Sequence, residues 1–464
     1  MKRLAVLNVV GLTDTLIGEH TPNIRKFRDA GSQATITPTL PAVTCAAQST
    51  FVTGDSPGKH GIVANGWYNR ELAEVHFWKQ SNHIVEGKKI WDELRETIPE
   101  FTCAKLFWWH NMYSSVDYSI TPRPMYPADG RKFFDVYSWP YSIREEIKRD
   151  LGEFPFATFW GPAAGLKSPQ GEPDAASRWI ADSARWIENK FSPTLNLVYL
   201  PHLDYNLQRL GPQHPQIADD LRRIDDIAGG LIHFFAKRNV EVVLLSEYGI
   251  TAVDTPVHIN RILREKGFLT IKEELGLELL DYGASEAFAV SDHQVAHVYV
   301  KEAKRIAEVR ELLQRQPGIA QVMNRAEMDT VGLAHERSGD LLAVANENAW
   351  FTYYFWLDDA VAPDFARCVD IHRKPGYDPV ELFLDPAQPF IKLKILFRLL
   401  QKKLGFRMLM NVIPLDATLV KGSHGCIPSD LRNHPVFISG RKDQFSGNNL
   451  LATEVNGVLK QFFL

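Results

Sequence analysis

Short apolar runs that alternate with amphipathic segments constrain this chain more than any other feature. Leu4 to Val10, Leu195 to Leu200 and Val240 to Leu245 are three such runs. A run that is apolar on both faces fits a strand covered on both sides, as a parallel sheet requires. Residues 213–237 carry a long helical pattern between the second and third runs, and Thr21-Pro22 opens another helix that Gly31 closes. The alternation predicts an α/β fold: a mostly parallel sheet flanked by helices. Ligands in such sheets bind beyond the carboxyl ends of the strands, so the residues just after each run carry the functional interest.

The alternation stops near Gly267. Ala287 to Val300 and Asp340 to Trp356 are β-rich, with a helix near Glu302 to Gln314 between them. An α+β cap over 268–388, inserted into a core of 1–267 and 412–464, accounts for this. Val436 to Ser439 then reads as a late core strand and Asn449 to Phe463 as a closing helix. Between cap and core, 389–411 is a basic amphipathic helix. Lys392, Lys394, Arg398, Lys402, Lys403 and Arg407 share it with an apolar stripe and no acidic residue. A surface helix packed on the domain is the leading expectation, and membrane-surface or partner contact through 390–407 is the alternative.

Composition narrows the partners. A net charge of -4 supplies no global basic field, which argues against a nucleic acid polymer as ligand. The cysteines (Cys45, Cys103, Cys368 and Cys426) are far apart with no CxxC pair, so a disulfide scaffold or zinc–thiolate site is not expected and a reducing cytoplasm fits best. The apolar run after Met1-Lys2-Arg3 passes directly into Thr13-Asp14-Thr15 without a small-residue cleavage site, which favours a first strand over a signal peptide. No segment is long and apolar enough to span a bilayer.

The strongest local signal for chemistry is the segment from Pro41 to Gly54. Its loop delivers Thr44 to the start of an apparent helix, where free N–H groups and the helix dipole favour a phosphoryl group. Thr is also a good N-cap, so the segment alone is ambiguous. Asp204 follows the second run, Glu247 the third, and His424 lies in a Gly-flanked turn. Carboxylates at strand ends and an imidazole would converge at one sheet edge, a donor set suited to Zn, Mn or Fe.

In this order, these segments resemble the nucleotide pyrophosphatase/phosphodiesterase branch of the alkaline phosphatase superfamily, together with Leu12, the Thr21-Pro22-Asn23 helix start, His60-Gly61-Ile62 and Asn65-Gly66. The resemblance implies an alkaline-phosphatase-like fold and a hydrolase acting on a small organic phosphodiester or pyrophosphate. It implies a phosphothreonine intermediate on Thr44 and a divalent metal clamp, zinc above all, around phosphorus.

The chain departs from the family pattern at the metal ligands. Val10 stands where the family has an aspartate, Tyr248 where it has a histidine, Gln208 where it has another histidine, and Glu247 replaces an aspartate. Ala47 stands in place of a phosphate-contacting Asn, with Gln48 beside it. The expected metal ligands are thus Asp204, Gln208 and His424 for one ion, with Glu247 left at a weakened second position, so one or two divalent ions are expected, one above all. Gln48, His372, Arg373 and Lys374 are expected to contact substrate, the last three from a polar cap loop facing Thr44. Two further readings stay open: a C–P hydrolase such as a phosphonoacetate hydrolase, and a catalytically degenerate relative that binds a phosphorylated metabolite or a partner.

Overall fold

The computed structural model describes residues 2–128, 131–442, 444, 445 and 447–463. The core strands in chain order are β1 (Leu4–Val9), β2 (Ser32–Thr37), β3 (Cys103–Leu106), β4 (Tyr118–Pro122), β5 (Val136–Trp139), β6 (Leu195–Leu200) and β7 (Glu241–Leu245). The antiparallel strands β8 (Ala287–Asp292), β9 (Val295–Val300), β10 (Ile319–Asn324) and β11 (Leu341–Ala345) form a separate sheet in the order β8-β9-β11-β10. The chain then returns to the core with β12 (Val436–Ser439) and β13 (Asn449–Leu451). The core sheet has the order β13-β2-β12-β7-β1-β6-β3-β4-β5. Its central strands β7, β1, β6, β3 and β4 run parallel. The fold is therefore the expected mixed α/β architecture. Among the described residues, no helix is long and apolar enough to cross a membrane.

Register positions the site. Val9 pairs with Leu200 and Asn8 with Leu245, so β1, β6 and β7 end at nearly the same level. Every residue of β1 and β6 is buried, which explains their continuous apolar sequence. Beyond that edge, Gly11 and Gly249 bridge. A Cβ on Gly249 would lie 1.8 Å from the Asn433 carbonyl oxygen, so only glycine admits this approach.

The helices that matter here are α1 (Pro22–Ala30), α2 (Thr44–Thr53), α3 (Ala175–Phe191), α4 (His202–Leu210), α5 (Ile217–Ala236) and α6 (Ile391–Lys403). Pro22 opens α1 and Gly31 closes it, as its sequence predicts. Asp204, which follows the second apolar run, lies in the first turn of α4. One expectation differs. The closing segment begins with β13, paired parallel to β2, and becomes helical only over Val455–Lys460. The Glu454 carboxylate accepts a bond from the Leu451 N–H at that junction, fixing the strand-to-helix turn.

A second hydrophobic cluster lies under the antiparallel sheet. It includes Trp350, Tyr353, Phe355 and Trp356, all fully buried. Only Leu341–Ala345 and Ala349–Phe351 of the β-rich 340–356 stretch pair as strands; Thr352 to Trp356 follows as a buried apolar run.

Candidate active site

The loop that carries Thr44 is tied to the turn that carries His424. Ala42 N–H donates to the Gly425 carbonyl (2.9 Å), and His424 Nδ1 donates to the Ala42 carbonyl (2.8 Å). Thr44 then begins α2, whose ten residues are all buried. The structure brings Thr44, Asp204, Gln208 and His424 together around Tyr248, and joins Glu247 to them through Gln48 and α2.

Tyr248 holds the centre. Its hydroxyl lies 3.1 Å from Thr44 Oγ1 and donates to Asp204 Oδ1 at 3.2 Å. A phenol has one proton, so with Asp204 as its acceptor the Thr44 hydroxyl donates to Tyr248. Gln208 Nε2 donates to Asp204 Oδ2 (2.7 Å), and the Tyr377 hydroxyl from the cap donates to Gln208 Oε1 (2.9 Å). Rings close the circuit. Tyr248 stacks on His424 at 3.5 Å, His424 on His293 at 3.7 Å, and His293 on Tyr377 at 3.6 Å. His293 Nδ1 is paired with Asp292 (2.7 Å), and Asp292 is held by the backbone and side-chain nitrogens of Asn65.

Glu247 is fully buried on the other side of Thr44. Its Oε1 accepts from Asn8 Nδ2 and Gln48 Nε2, while Oε2 has no partner. Burial pushes the Glu247 carboxyl up to about 8, against the lowering effect of its Gln48 and Asn8 bonds. Burial likewise raises Asp204 to about 7, and Asp292 to about 6. It holds His424 and His293 well below the usual imidazole range. The cause is common: charge is costly where water is excluded.

The divalent ions that the sequence resemblance implies do not fit this donor set. Val10 offers no donor. The Tyr248 hydroxyl stands between Thr44 and Asp204, and burial raises its pKa well above the usual phenol range, so it keeps its proton. Glu247 is tied to two amides and lacks a second acidic partner for a cation. Asp204 and the Nε2 lone pair of His424 remain, but both ends of the Gln208 amide are engaged. Among the described residues, no group of three His, Cys, Asp or Glu side chains is placed to hold a metal ion. Of the three residues expected to retain an ion, Asp204 and Gln208 are joined to each other, and His424 is held through its Nδ1 by the Ala42 carbonyl.

The expected substrate contacts are also engaged elsewhere. Gln48 donates to Glu247 and accepts from Trp109 N–H. Lys374 is buried in an ion cluster, 2.7 Å from Asp378 and 2.8 Å from Glu381. Arg373 pairs with Asp364 on the cap surface, and His372 donates to the Phe77 carbonyl. The residue of this loop that reaches the Thr44 cluster is Tyr377, which sequence reasoning did not single out. A lone tyrosine among six polar or charged neighbours gives no signal; only the fold places its ring on His293.

A family model for type I phosphodiesterase / nucleotide pyrophosphatase matches residues 4–378. An uncharacterized pyrophosphatase/phosphodiesterase of Schizosaccharomyces pombe is 23% identical over 261 residues, 54% of this chain. That match spans less than half, 44%, of the yeast protein's length. Two solved structures share the fold over nearly the whole chain. Murine ectonucleotide pyrophosphatase / phosphodiesterase 5, in an inactive threonine-to-alanine form in complex with AMP, is 15% identical with a TM-score of 0.57, covering 100% of this chain and 95% of that one. Phosphonoacetate hydrolase from Sinorhizobium meliloti, in complex with phosphonoformate, is 13% identical with a TM-score of 0.61, covering 99% and 96%.

Proposed function

This chain belongs to the type I phosphodiesterase / nucleotide pyrophosphatase family, and on that premise we propose that it is a slow hydrolase of a small organic phosphodiester or pyrophosphate that uses Thr44 without a metal pair. The observation that carries the proposal is the hydrogen-bonded line from Thr44 through Tyr248 to Asp204. As Thr44 Oγ1 attacks phosphorus, its proton passes to the Tyr248 oxygen while Tyr248 hands its own proton to the Asp204 carboxylate. Tyr248 is neutral before and after, which suits a buried phenol. Asp204, at about 7, is a base of suitable strength near neutrality. The P–O bond to the leaving group breaks, the departing oxygen takes up a proton from Asp204 or solvent, and water later releases the remaining phosphomonoester from Thr44 and restores its hydroxyl. Protonated Glu247 keeps a second negative charge away from the phosphoryl oxygens.

Nothing in this set replaces the charge of two dications, so turnover is expected to be slow. The murine neighbour's AMP supports a nucleotide-sized phosphate as ligand. A C–P substrate with its own carboxylate has less support, because Arg373 and Lys374 are both paired within the cap. The four buried free thiols fit a reducing, cytoplasmic setting.

One observation favours a second reading, binding without turnover. Thr44 is only 4% exposed, and the ring stack covers the space before it. The test is hydrolysis of an aryl phosphodiester and of a dinucleoside pyrophosphate after exhaustive chelation. Turnover that survives chelation and disappears in Thr44→Ala supports the hydrolase. Saturable AMP binding with no turnover supports the second reading. Turnover that requires added metal refutes the metal-free line.

A further inference from the structure

The helix α6 presents its apolar side outward. Only a narrow seam, Ile391 and Ile395, leans on the second hydrophobic cluster, and no residue of the helix is buried. Leu393, Leu396, Phe397, Leu400 and Leu404 share an arc of roughly 100° on the opposite side, at the 100° per residue of an α-helix. Leu393, Leu396 and Leu404 are each more than 60% exposed, and Phe390, at the entry to the helix, is 80% exposed. The usual arrangement of a surface helix is the reverse, with the apolar stripe inward. A contiguous exposed face of this kind calls for a covering surface.

The flanking charges identify it. Lys392 and Lys403 border one side of the arc and Arg407 follows the helix, whereas Lys394 is turned to the Gln388 side chain and the Asn411 carbonyl on the seam that leans on the domain. No acidic residue occurs between Asp385 and Asp416, in a chain whose net charge is -4. Apolar side chains edged by long cations match an interface between acyl chains and anionic headgroups.

We propose that α6 forms a docking face for an anionic lipid bilayer, on which the protein sits as a peripheral protein. The apolar arc enters the headgroup boundary, and Lys392 and Lys403 extend to lipid phosphates. This inference is independent of the chemistry proposed at Thr44.

The test is co-sedimentation of the full chain with vesicles of phosphatidylcholine alone, or with about one-third phosphatidylserine. Binding is expected to the phosphatidylserine vesicles, weakly or not at all to phosphatidylcholine, and to weaken as salt shortens the Debye length. Each juxtamembrane cation contributes about fivefold in partitioning, so Lys392→Ala with Lys403→Ala should weaken binding roughly thirtyfold. Leu396→Glu with Leu400→Glu should abolish it, while the thermal midpoints of both variants match the parent because the substituted side chains are exposed. Three results would overturn the proposal: folded parent protein left in the supernatant with phosphatidylserine vesicles, equal binding to both vesicle types, or lipid-free self-association that the Leu396→Glu, Leu400→Glu variant removes.

Discussion

Replacing Glu247 with Gln isolates the electrostatic claim about the site. The substitution keeps the shape and leaves an acceptor oxygen for the Asn8 and Gln48 amides. It converts the unpartnered Oε2 into an amide nitrogen next to Asn8, whose own Oδ1 lacks a partner. The main change is the loss of titration. In the folded chain burial holds the Glu247 carboxyl at about 8, against its usual 4.5. The unfolded chain gives up this proton near 4.5 while the folded chain keeps it, so the parent loses stability as pH rises through that window and stops losing it above about 8. The slope is about 1.4 kcal/mol per pH unit, which makes the loss about 0.7 kcal/mol at pH 5 and about 3.4 kcal/mol at pH 7. Glu247→Gln has no such loss. Its advantage over the parent should therefore grow by about 3 kcal/mol between pH 5 and pH 7. Urea titrations of chelated parent and variant at several pH values measure it. A stability difference that stays flat across this range would mean that Glu247 is already ionised and answered by a cation, and the metal-free account of the site would fail.

Asp204→Asn removes the proton acceptor and should lower the rate of any Thr44-dependent turnover by about 10²–10⁴; the parent's kcat/KM should rise through about pH 7 as Asp204 ionises and fall through about pH 8 as Glu247 does, read from initial rates at substrate well below KM. Lys374→Met leaves Asp378 and Glu381 buried beside each other without their cation and should cost on the order of 3–5 kcal/mol, measured by urea unfolding. Restoring imidazoles and a carboxylate together, with Val10→Asp, Gln208→His and Tyr248→His, should raise bound zinc in dialysed protein from none toward two per chain by elemental analysis.

The fold was legible because its central strands are buried on both faces. Leu4–Val9 and Leu195–Leu200 cannot hide their polarity pattern, and Pro22 and Gly31 mark helix ends by backbone chemistry. The strand-end rule also located Glu247, and Asp204 one helical turn later, since parallel register brings those ends to one level. What sequence could not give is where a side chain finds its partner. Arg373 and Lys374 are compatible with a phosphate in sequence, yet Asp364, Asp378 and Glu381 lie closer to them in space. Gln208 looked like a weakened ligand, whereas its two amide ends complete a circuit with Asp204 and Tyr377. Burial of the apolar stripe of α6 was the natural expectation, and helical periodicity alone does not say which side of a stripe meets the domain.

The Tyr248 hydroxyl between Thr44 and Asp204 also bears on what it takes to build a metal pair here. Val10 is fully buried immediately after the strand that carries Asn8. An aspartate placed there alone would add a carboxylate beside Glu247 with no cation between them, so it would destabilise the chain before it could coordinate anything. A histidine at position 248 alone would remove the bridge between Thr44 and Asp204 and still leave each ion short of donors. Each single substitution is unfavourable unless the others are already present, so a metal pair at this site has to be introduced with its ligands together.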